Sequence, residues 1–210
     1  MTASPLASSC RSRRRQGAAT RESEGRGEMT YVPSRIYLTK GVGVANEKLS
    51  SFEMALRNAD IAHFNLVRVS SIFPPKCKIV PKSQGKKHLR PGEIVHCVIS
   101  EASSNEPYRQ MAASVGLAIP KDRSQYGYLS EHHSYGQTEK TAGDFAEDLA
   151  AQMLATILGV PFDPDSSWDK RKEIWKISDE IVKTRAITET AKGDRRGRWT
   201  TVLAAAILLE

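Results

Sequence analysis

Residues 65–75 read NLVRVSSIFPP, a run in which a hydrophobic strand pattern gives way to two serines and then to two prolines. The β-branched residues favour a strand, and Pro74 and Pro75 end it because proline cannot donate to a sheet ladder. A serine pair at such a point is ordinarily a turn, since a serine hydroxyl readily bonds the local backbone. A chemical role for Ser70 and Ser71 therefore requires evidence beyond this local pattern.

The strand pattern extends on both sides of this run. HFNLVRVSSIF (63–73) is rich in β-branched and aromatic residues, which predicts a buried strand. Earlier in the chain, RIYLTKGVGVAN (35–46) is also strand-like. Its Gly41 and Gly43 indicate either a turn or a close approach of another backbone.

Two segments carry apolar residues at helical spacing. In KLSSFEMALRNADIA (48–62), Ser50 and Glu53 form an S-x-x-E capping box, which predicts a helix beginning near Ser50. The second helix is expected from Thr138 onward and ends at Gly159. Its predicted apolar face consists of residues four apart: Phe145, Leu149, Met153 and Ile157.

The remaining segments complete an α+β pattern. KSQGKKHLRPG resembles an exposed basic loop, and a linker is expected at Pro161 and Pro164. WTTVLAAAILL is either a small-residue strand or a buried helix. Four further strand candidates are GEIVHCVIS, AASVGLAIP, QYGYLSEHHS and EIVKTRAITET. A four-layer αββα sandwich accommodates this order of elements, which is not a regular βαβ alternation.

The basic charge of the chain is concentrated at its start. The net charge is +7, and residues 1–28 contain six arginines against Glu22, Glu24 and Glu28. This head has no apolar run typical of a signal peptide, and its glutamates argue against a transit peptide. We expect it either to be disordered or to precede a true start at Met29. No segment reaches the ~18 apolar residues of a spanning helix, so no membrane partner is expected.

The three cysteines bear on the cellular compartment. Cys10, Cys77 and Cys97 are odd in number and lack C-x-x-C spacing. Neither a disulfide framework nor a zinc site is therefore indicated. A reducing cytoplasm is the expected location, and no metal is expected.

A serine next to a strained peptide bond can react with its own backbone. The Ser71 hydroxyl would attack the carbonyl carbon of Ser70 and give an ester by an N-to-O acyl shift. Elimination across Cα and Cβ of Ser71 would then cut the chain and leave a dehydroalanine, which hydrolyses to a pyruvoyl group. Serine pairs are common and nearly all are inert, so the pair by itself does not establish this chemistry.

Resemblance to a known family favours the chemical role. NLVRVSSIFPP, with SSFEMALRNADIAHF before it and AIPKDRSQYGYLSEHH after it, resembles the pyruvoyl-dependent arginine decarboxylase family from about Met29 to the C-terminus. The resemblance implies cleavage between Ser70 and Ser71 into a β chain (29–70) and an α chain (71–210). It also implies an αββα fold assembled as a homotrimer, or as a dimer of trimers, with active sites between neighbouring subunits.

The resemblance also implies the activity and its cofactor. L-Arginine would be converted to agmatine and CO2 through a Schiff base with the pyruvoyl group made from Ser71, without a metal or pyridoxal phosphate. Glu131 matches the family's general acid, which returns a proton to the former α-carbon. For this role its carboxyl must be protonated near neutral pH, which requires apolar surroundings or a nearby negative charge.

Two further family positions remain open between a functional and a structural role. Asn65 matches a residue needed near the cleavage site, where its amide could polarise the Ser70 carbonyl or hold the oxyanion. However, six residues of uninterrupted strand span roughly 20 Å, too far for direct contact. Its alternative is to cap a neighbouring backbone group. Glu53 occupies the family's acidic position for the substrate guanidinium, where some members have aspartate. Its alternative is the capping bond to the Ser50 backbone N–H.

Three other functions compete with arginine decarboxylation. The first is a pyruvoyl-dependent decarboxylase of another amino acid. The second is an unprocessed basic protein that holds nucleic acid through its head and the KKHLR loop, although few aromatic residues lie near those charges to stack bases. The third is a serine hydrolase, for which no G-x-S-x-G elbow is present. We therefore expect no nucleic-acid partner.

Overall fold

The computed structural model describes residues 31–159 and 181–210, and the sheets and helices lie within the unit Val32–Glu210. Five strands form a mixed sheet, sheet I, in the order β2-β5-β9-β1-β4, and four form an antiparallel sheet, sheet II, in the order β3-β7-β6-β8. The strands are β1 Arg35–Ala45, β2 Asn65–Arg68, β3 Ile72–Phe73, β4 Lys78–Ile79, β5 Ile94–Ser104, β6 Gln110–Pro120, β7 Gly127–Tyr135, β8 Ile181–Lys192 and β9 Trp199–Leu209. The helices are α1 Lys48–Ala59, α2 Lys82–Gly85 and α3 Glu139–Leu158, with a 3-10 turn at Lys86–His88.

Three apolar layers hold these elements together. Helix α1 packs on sheet I around Tyr37, Ala55 and Leu203, and α3 packs on sheet II around Ala118 and Leu154. Alternate residues of the strands face inward and form the core between the two sheets, which includes Ile36, Val98, Val115, Leu117 and Ala206. The predicted four-layer αββα sandwich is confirmed.

The glycines of β1 provide a close approach for α1. A Cβ atom at Gly43 would lie 2.1 Å from the Ser51 carbonyl oxygen, and one at Gly41 would lie 2.3 Å from that of Ala55. The strand therefore continues through both glycines without a turn.

The predicted capping box is wrong, because α1 begins at Lys48 after an N-cap at Glu47 that makes no side-chain bond. Ser50 already lies inside the helix.

The single buried strand predicted over 63–73 is also wrong. The chain forms two short strands in different sheets: β2 pairs parallel with β5, and β3 pairs antiparallel with β7. β2 is an edge strand, and three of its four residues are exposed. Its β-branched composition indicated strand geometry correctly, but burial depends on which strands lie on either side.

Helix α3 buries a different face from the one predicted. Its bounds agree with the prediction: the Thr138 side chain caps the first turn, and Gly159 ends the helix with a φ of +67°. However, Phe145 and Ile157 are 48% and 42% exposed. The buried residues are mainly small: Ala142, Gly143, Ala146, Ala150, Ala151, Leu154 and Ala155.

The other predictions divide between confirmed strands and undescribed segments. The four further strand candidates form parts of β5, β6, β7 and β8, and WTTVLAAAILL is the central strand β9. The basic loop after Pro81 instead contains α2 and the 3-10 turn. The head (1–28) and the linker prolines lie outside the described residues. Within the described part of the chain, no helix is long and apolar enough to cross a bilayer.

Candidate active site

The serine pair lies where the chain passes from one sheet to the other. On the sheet I side, the Val69 N–H donates to the Cys97 carbonyl at 3.0 Å. On the sheet II side, the Ser71 carbonyl accepts from the Leu129 N–H at 2.8 Å. Two rigid sheets therefore hold the backbone one residue before Ser70 and at Ser71. Such fixed ends are suited to presenting one peptide bond in a defined geometry.

The Ser71 side chain bonds directly to the predicted general acid. Its hydroxyl donates to the Glu131 carboxylate with an Oγ to Oε2 distance of 2.9 Å. Glu131 lies on β7 opposite the buried Val115, on the side of sheet II that faces sheet I. It is nevertheless exposed, because β3 pairs with β7 only as far as Tyr128 and leaves the edge open beyond that residue. A carboxylate in this position can accept the serine proton.

The carbonyl of Ser70 has a hydrogen-bond donor of its own. The Ile72 N–H donates to the Ser70 oxygen at 2.9 Å, across the intervening Ser71. Reasoning from side-chain types could not have found this group, because the donor is a backbone amide whose direction depends on the pairing of β3 with β7.

Asn65 makes the structural bond that was its alternative. Its side-chain amide donates to the Gly92 carbonyl at 2.7 Å, and its backbone N–H donates to the Glu93 carbonyl at 2.8 Å. Both bonds attach the first residue of β2 to the loop that precedes β5. In the described chain Asn65 therefore positions the strand that leads to Ser70.

Glu53 lines a cavity of about 430 Å³ together with Arg57, Asp60, Ala62 and His63. The Glu53 carboxylate accepts from the Arg57 Nε at 2.9 Å, one helical turn along α1. A hydrogen bond from Lys86 lowers the pKa of Asp60, so this second carboxylate is held in its charged form. Both carboxylates of this cavity therefore have a cationic partner in the same chain, Arg57 for Glu53 and Lys86 for Asp60. Arg57 was not predicted, although the Glu-x-x-x-Arg spacing could have indicated it.

The structure therefore joins two of the predicted site residues and separates a third. Ser71 and Glu131 are in contact, whereas neither of them lines the cavity at Glu53. Within the described part of one chain, the serine predicted to react and the glutamate predicted to bind substrate are in different places.

Comparison with known proteins identifies the family. The model of the family described as pyruvoyl-dependent arginine decarboxylase matches residues 35–210. The probable pyruvoyl-dependent arginine decarboxylase of Chloroherpeton thalassium is 58% identical over 181 residues, covering 86% of this chain and 100% of the relative. The pyruvoyl-dependent arginine decarboxylase of Nitrosopumilus maritimus is 53% identical over 86% of this chain and 99% of its own length. The chain belongs to the pyruvoyl-dependent arginine decarboxylase family.

A third relative shows a comparable degree of similarity. Pyruvoyl-dependent arginine decarboxylase 2 of Methanosarcina mazei is 51% identical over 178 residues, covering 85% of this chain and 97% of its own length. A pyruvoyl-dependent arginine decarboxylase is a carboxy-lyase with a covalent pyruvoyl cofactor. The residues present fit that group, because Ser71 is half-buried beside a proton acceptor and its preceding carbonyl is hydrogen-bonded.

The competing functions gain no support from this site. The Ser71 hydroxyl bonds a carboxylate rather than an imidazole, which is not the arrangement that the hydrolase alternative requires. Nothing in the described residues or in the family favours an unprocessed basic protein that binds nucleic acid.

Proposed function

We propose that this protein cleaves itself between Ser70 and Ser71 and then converts L-arginine to agmatine and CO2. The observation that carries the proposal is the 2.9 Å hydrogen bond from the Ser71 hydroxyl to Glu131, in a chain that belongs to a pyruvoyl-dependent decarboxylase family. A hydroxyl with a proton acceptor and a neighbouring carbonyl held between two sheets has the components that self-cleavage requires.

The cleavage begins with Glu131 taking the Ser71 hydroxyl proton. Oγ forms a bond to the Ser70 carbonyl carbon, the bond from that carbon to the Ser71 nitrogen breaks, and the nitrogen receives a proton. Loss of the Ser71 α-proton and rupture of its Cβ–Oγ bond then release the Ser70 carboxylate. Addition of water and departure of ammonia complete the pyruvoyl group. The processing of each precursor chain therefore consumes one water and releases one ammonia.

Decarboxylation uses the same carboxyl group a second time. The pyruvoyl group, once formed, supplies the carbonyl that takes up the substrate amine and the electrons released with CO2. Glu131 then holds the proton that reaches the former α-carbon, so the reaction consumes one proton from solution. Asn65 contributes by attaching the start of β2 to Gly92.

Cleavage leaves the two chains bound to each other. β1, which belongs to the proposed β chain (29–70), pairs with β9 of the α chain (71–210) over its full length, from Arg35 opposite Leu209 to Ala45 opposite Trp199. It lies inside sheet I between β9 and β4, both of which belong to the α chain. The processed protomer is therefore a single folded unit made of two polypeptides.

We assign the active enzyme to a trimer of such protomers. The separation of Glu53 from Ser71 within one chain supports this assignment, because a neighbouring subunit can bring its own Glu53 to the serine site. The same neighbour would cover the exposed Glu131. We place the enzyme in the cytoplasm, where Cys77 and Cys97, both buried free thiols whose pKa burial raises to about 11, stay reduced.

Substrate identity is tested with purified, processed protein. Equal concentrations of arginine, histidine, ornithine and aspartate are supplied, and released CO2 and amine product are measured. Arginine is expected to be decarboxylated to agmatine at least tenfold faster than the others. Faster turnover of another amino acid would contradict the arginine specificity and leave the pyruvoyl chemistry intact.

Replacement of Glu53 by glutamine is expected to raise KM for arginine more than it lowers kcat. A hydrogen-bonded ion pair contributes about 1.5–3 kcal/mol, so KM should rise roughly 10- to 100-fold. The fold should survive, because the Glu53–Arg57 pair is exposed and such pairs contribute about 0.3–0.5 kcal/mol. Steady-state kinetics with arginine measure the effect.

Glu47→Gln is the matched control for this substitution. Glu47 is an exposed glutamate at the N-cap of the same helix, and its side chain makes no capping bond. Its KM should stay within twofold of the wild-type value. An unchanged KM in Glu53→Gln would remove Glu53 from the substrate site.

A further inference from the structure

Ser71 is the central residue of a three-residue turn. The turn is closed by the 2.9 Å hydrogen bond from the Ile72 N–H to the Ser70 carbonyl oxygen. Ser71 does not have a positive φ, so the turn is the inverse form that commonly occurs at strand ends. The bond therefore requires no unusual backbone conformation, and it acts on the carbonyl of the peptide bond that is proposed to break.

The pairing of β3 fixes the direction of this N–H group. Ile72 lies opposite Tyr128 in the antiparallel register, while the neighbouring Leu129 N–H donates to Ser71. Consecutive N–H groups of a strand point to opposite sides. The Ile72 N–H therefore points away from β7, and it donates to the Ser70 carbonyl oxygen.

The side chain predicted for this role is engaged elsewhere. The family resemblance implied that the Asn65 amide could polarise the Ser70 carbonyl, but that amide donates to the Gly92 carbonyl at 2.7 Å. The donor that the Ser70 carbonyl does have is the backbone N–H of Ile72, which belongs to sheet II.

We propose that the Ile72 backbone N–H is the oxyanion donor of self-cleavage; this inference rests on the proposed function. When Ser71 Oγ bonds to the Ser70 carbonyl carbon, the carbonyl oxygen gains a full negative charge. The donor lies 2.9 Å from the carbonyl oxygen before the reaction. An effective oxyanion donor must lie about 2.7–3.1 Å from the position that this oxygen takes up once the bond has formed.

Glu131 and Ile72 then have separate roles in the first step of cleavage. Glu131 takes the proton that leaves Oγ, and the Ile72 N–H stabilises the charge that appears on the oxygen. The two groups lie on β7 and β3, which are paired in sheet II. The pairing of β3 with β7 therefore brings the proton acceptor and the oxyanion donor into position together.

The test removes only this N–H group from the full-length chain. Ile72 is replaced by its α-hydroxy acid, which turns the Ser71–Ile72 amide into an ester and keeps the side chain. The loss of one oxyanion donor is expected to slow cleavage between residues 70 and 71 by about 10²- to 10³-fold. Intact mass measured over time after refolding gives the rate, and it distinguishes this product from simple hydrolysis of the new ester.

The matched control makes the same ester change at Leu129. It removes the N–H that donates to the Ser71 carbonyl, which is the bond that an ester at Ile72 also weakens, and it leaves the donor on Ser70 in place. The Leu129 ester should cleave at least tenfold faster than the Ile72 ester. Equal rates for the two esters, or a wild-type rate for the Ile72 ester, would overturn the inference alone. Failure of the unmodified chain to cleave would overturn it together with the proposed function.

Discussion

The Ser71→Ala variant is expected to remain a single uncleaved chain with no measurable decarboxylase activity. Alanine has no Oγ to attack the Ser70 carbonyl, and no pyruvoyl group can form at residue 71. The wild-type protein should give two chains, one ending at Ser70 and one comprising residues 71–210 with no free N-terminal amine. Intact mass spectrometry and an agmatine assay on the same samples measure both effects.

Two further serine variants make this result specific. Ser70→Ala is expected still to cleave, because Ser70 contributes its carbonyl carbon and not its hydroxyl. Ser83→Ala removes an exposed hydroxyl on α2 and should cleave like the wild type. Thermal unfolding of Ser71→Ala should be close to that of the unprocessed wild type, since the lost hydrogen bond to Glu131 is solvent-exposed. Two chains from Ser71→Ala would contradict the central proposal.

Glu131→Gln is expected to reduce decarboxylation by about 10²- to 10⁴-fold, the usual contribution of a general acid. Glutamine can still accept the hydrogen bond from Ser71, but it can neither take up a proton nor deliver one. The same substitution should therefore also slow self-cleavage. The rate of CO2 release is measured per pyruvoyl group, titrated with a carbonyl reagent, so that slow cleavage is not mistaken for slow decarboxylation.

Glu106→Gln is the control for the loss of one carboxylate. Glu106 is exposed in the turn between β5 and β6 and pairs with Arg109 at 3.3 Å. It is far in sequence from both Ser71 and Glu131. Its cleavage and turnover should match those of the wild type. If Glu131→Gln cleaved normally and lost only decarboxylation, Glu131 would be the acid of the second step and another group would take the Ser71 proton.

Local sequence patterns were sufficient for most elements and for the family. Thr138 and Gly159 marked the ends of α3 because capping is a property of the few residues at each helix end. Gly41 and Gly43 correctly indicated a close backbone approach. NLVRVSSIFPP was distinctive enough to indicate the family that the comparisons show.

Periodicity was a poor guide to which helix face is buried. Phe145, Leu149, Met153 and Ile157 share one face of α3, yet a Cβ atom at Gly116 of β6 would lie only 2.2 Å from the Ala146 carbonyl oxygen. At so short a distance only small residues fit between helix and sheet. The alanine face is therefore buried, and Phe145 and Ile157 are left partly exposed.

The sequence by itself determined the chemistry available: a serine pair at a strand end, a glutamate with a family counterpart, and a fold of two sheets and two long helices. Only the tertiary structure decided that Ser70 and Ser71 cross from sheet I to sheet II, that Glu131 reaches Ser71, and that Ile72 faces the Ser70 carbonyl. The physical reason is range. Strand and cap preferences depend on neighbouring residues, whereas these contacts depend on pairing with β5 and β7, which lie tens of residues further along the chain.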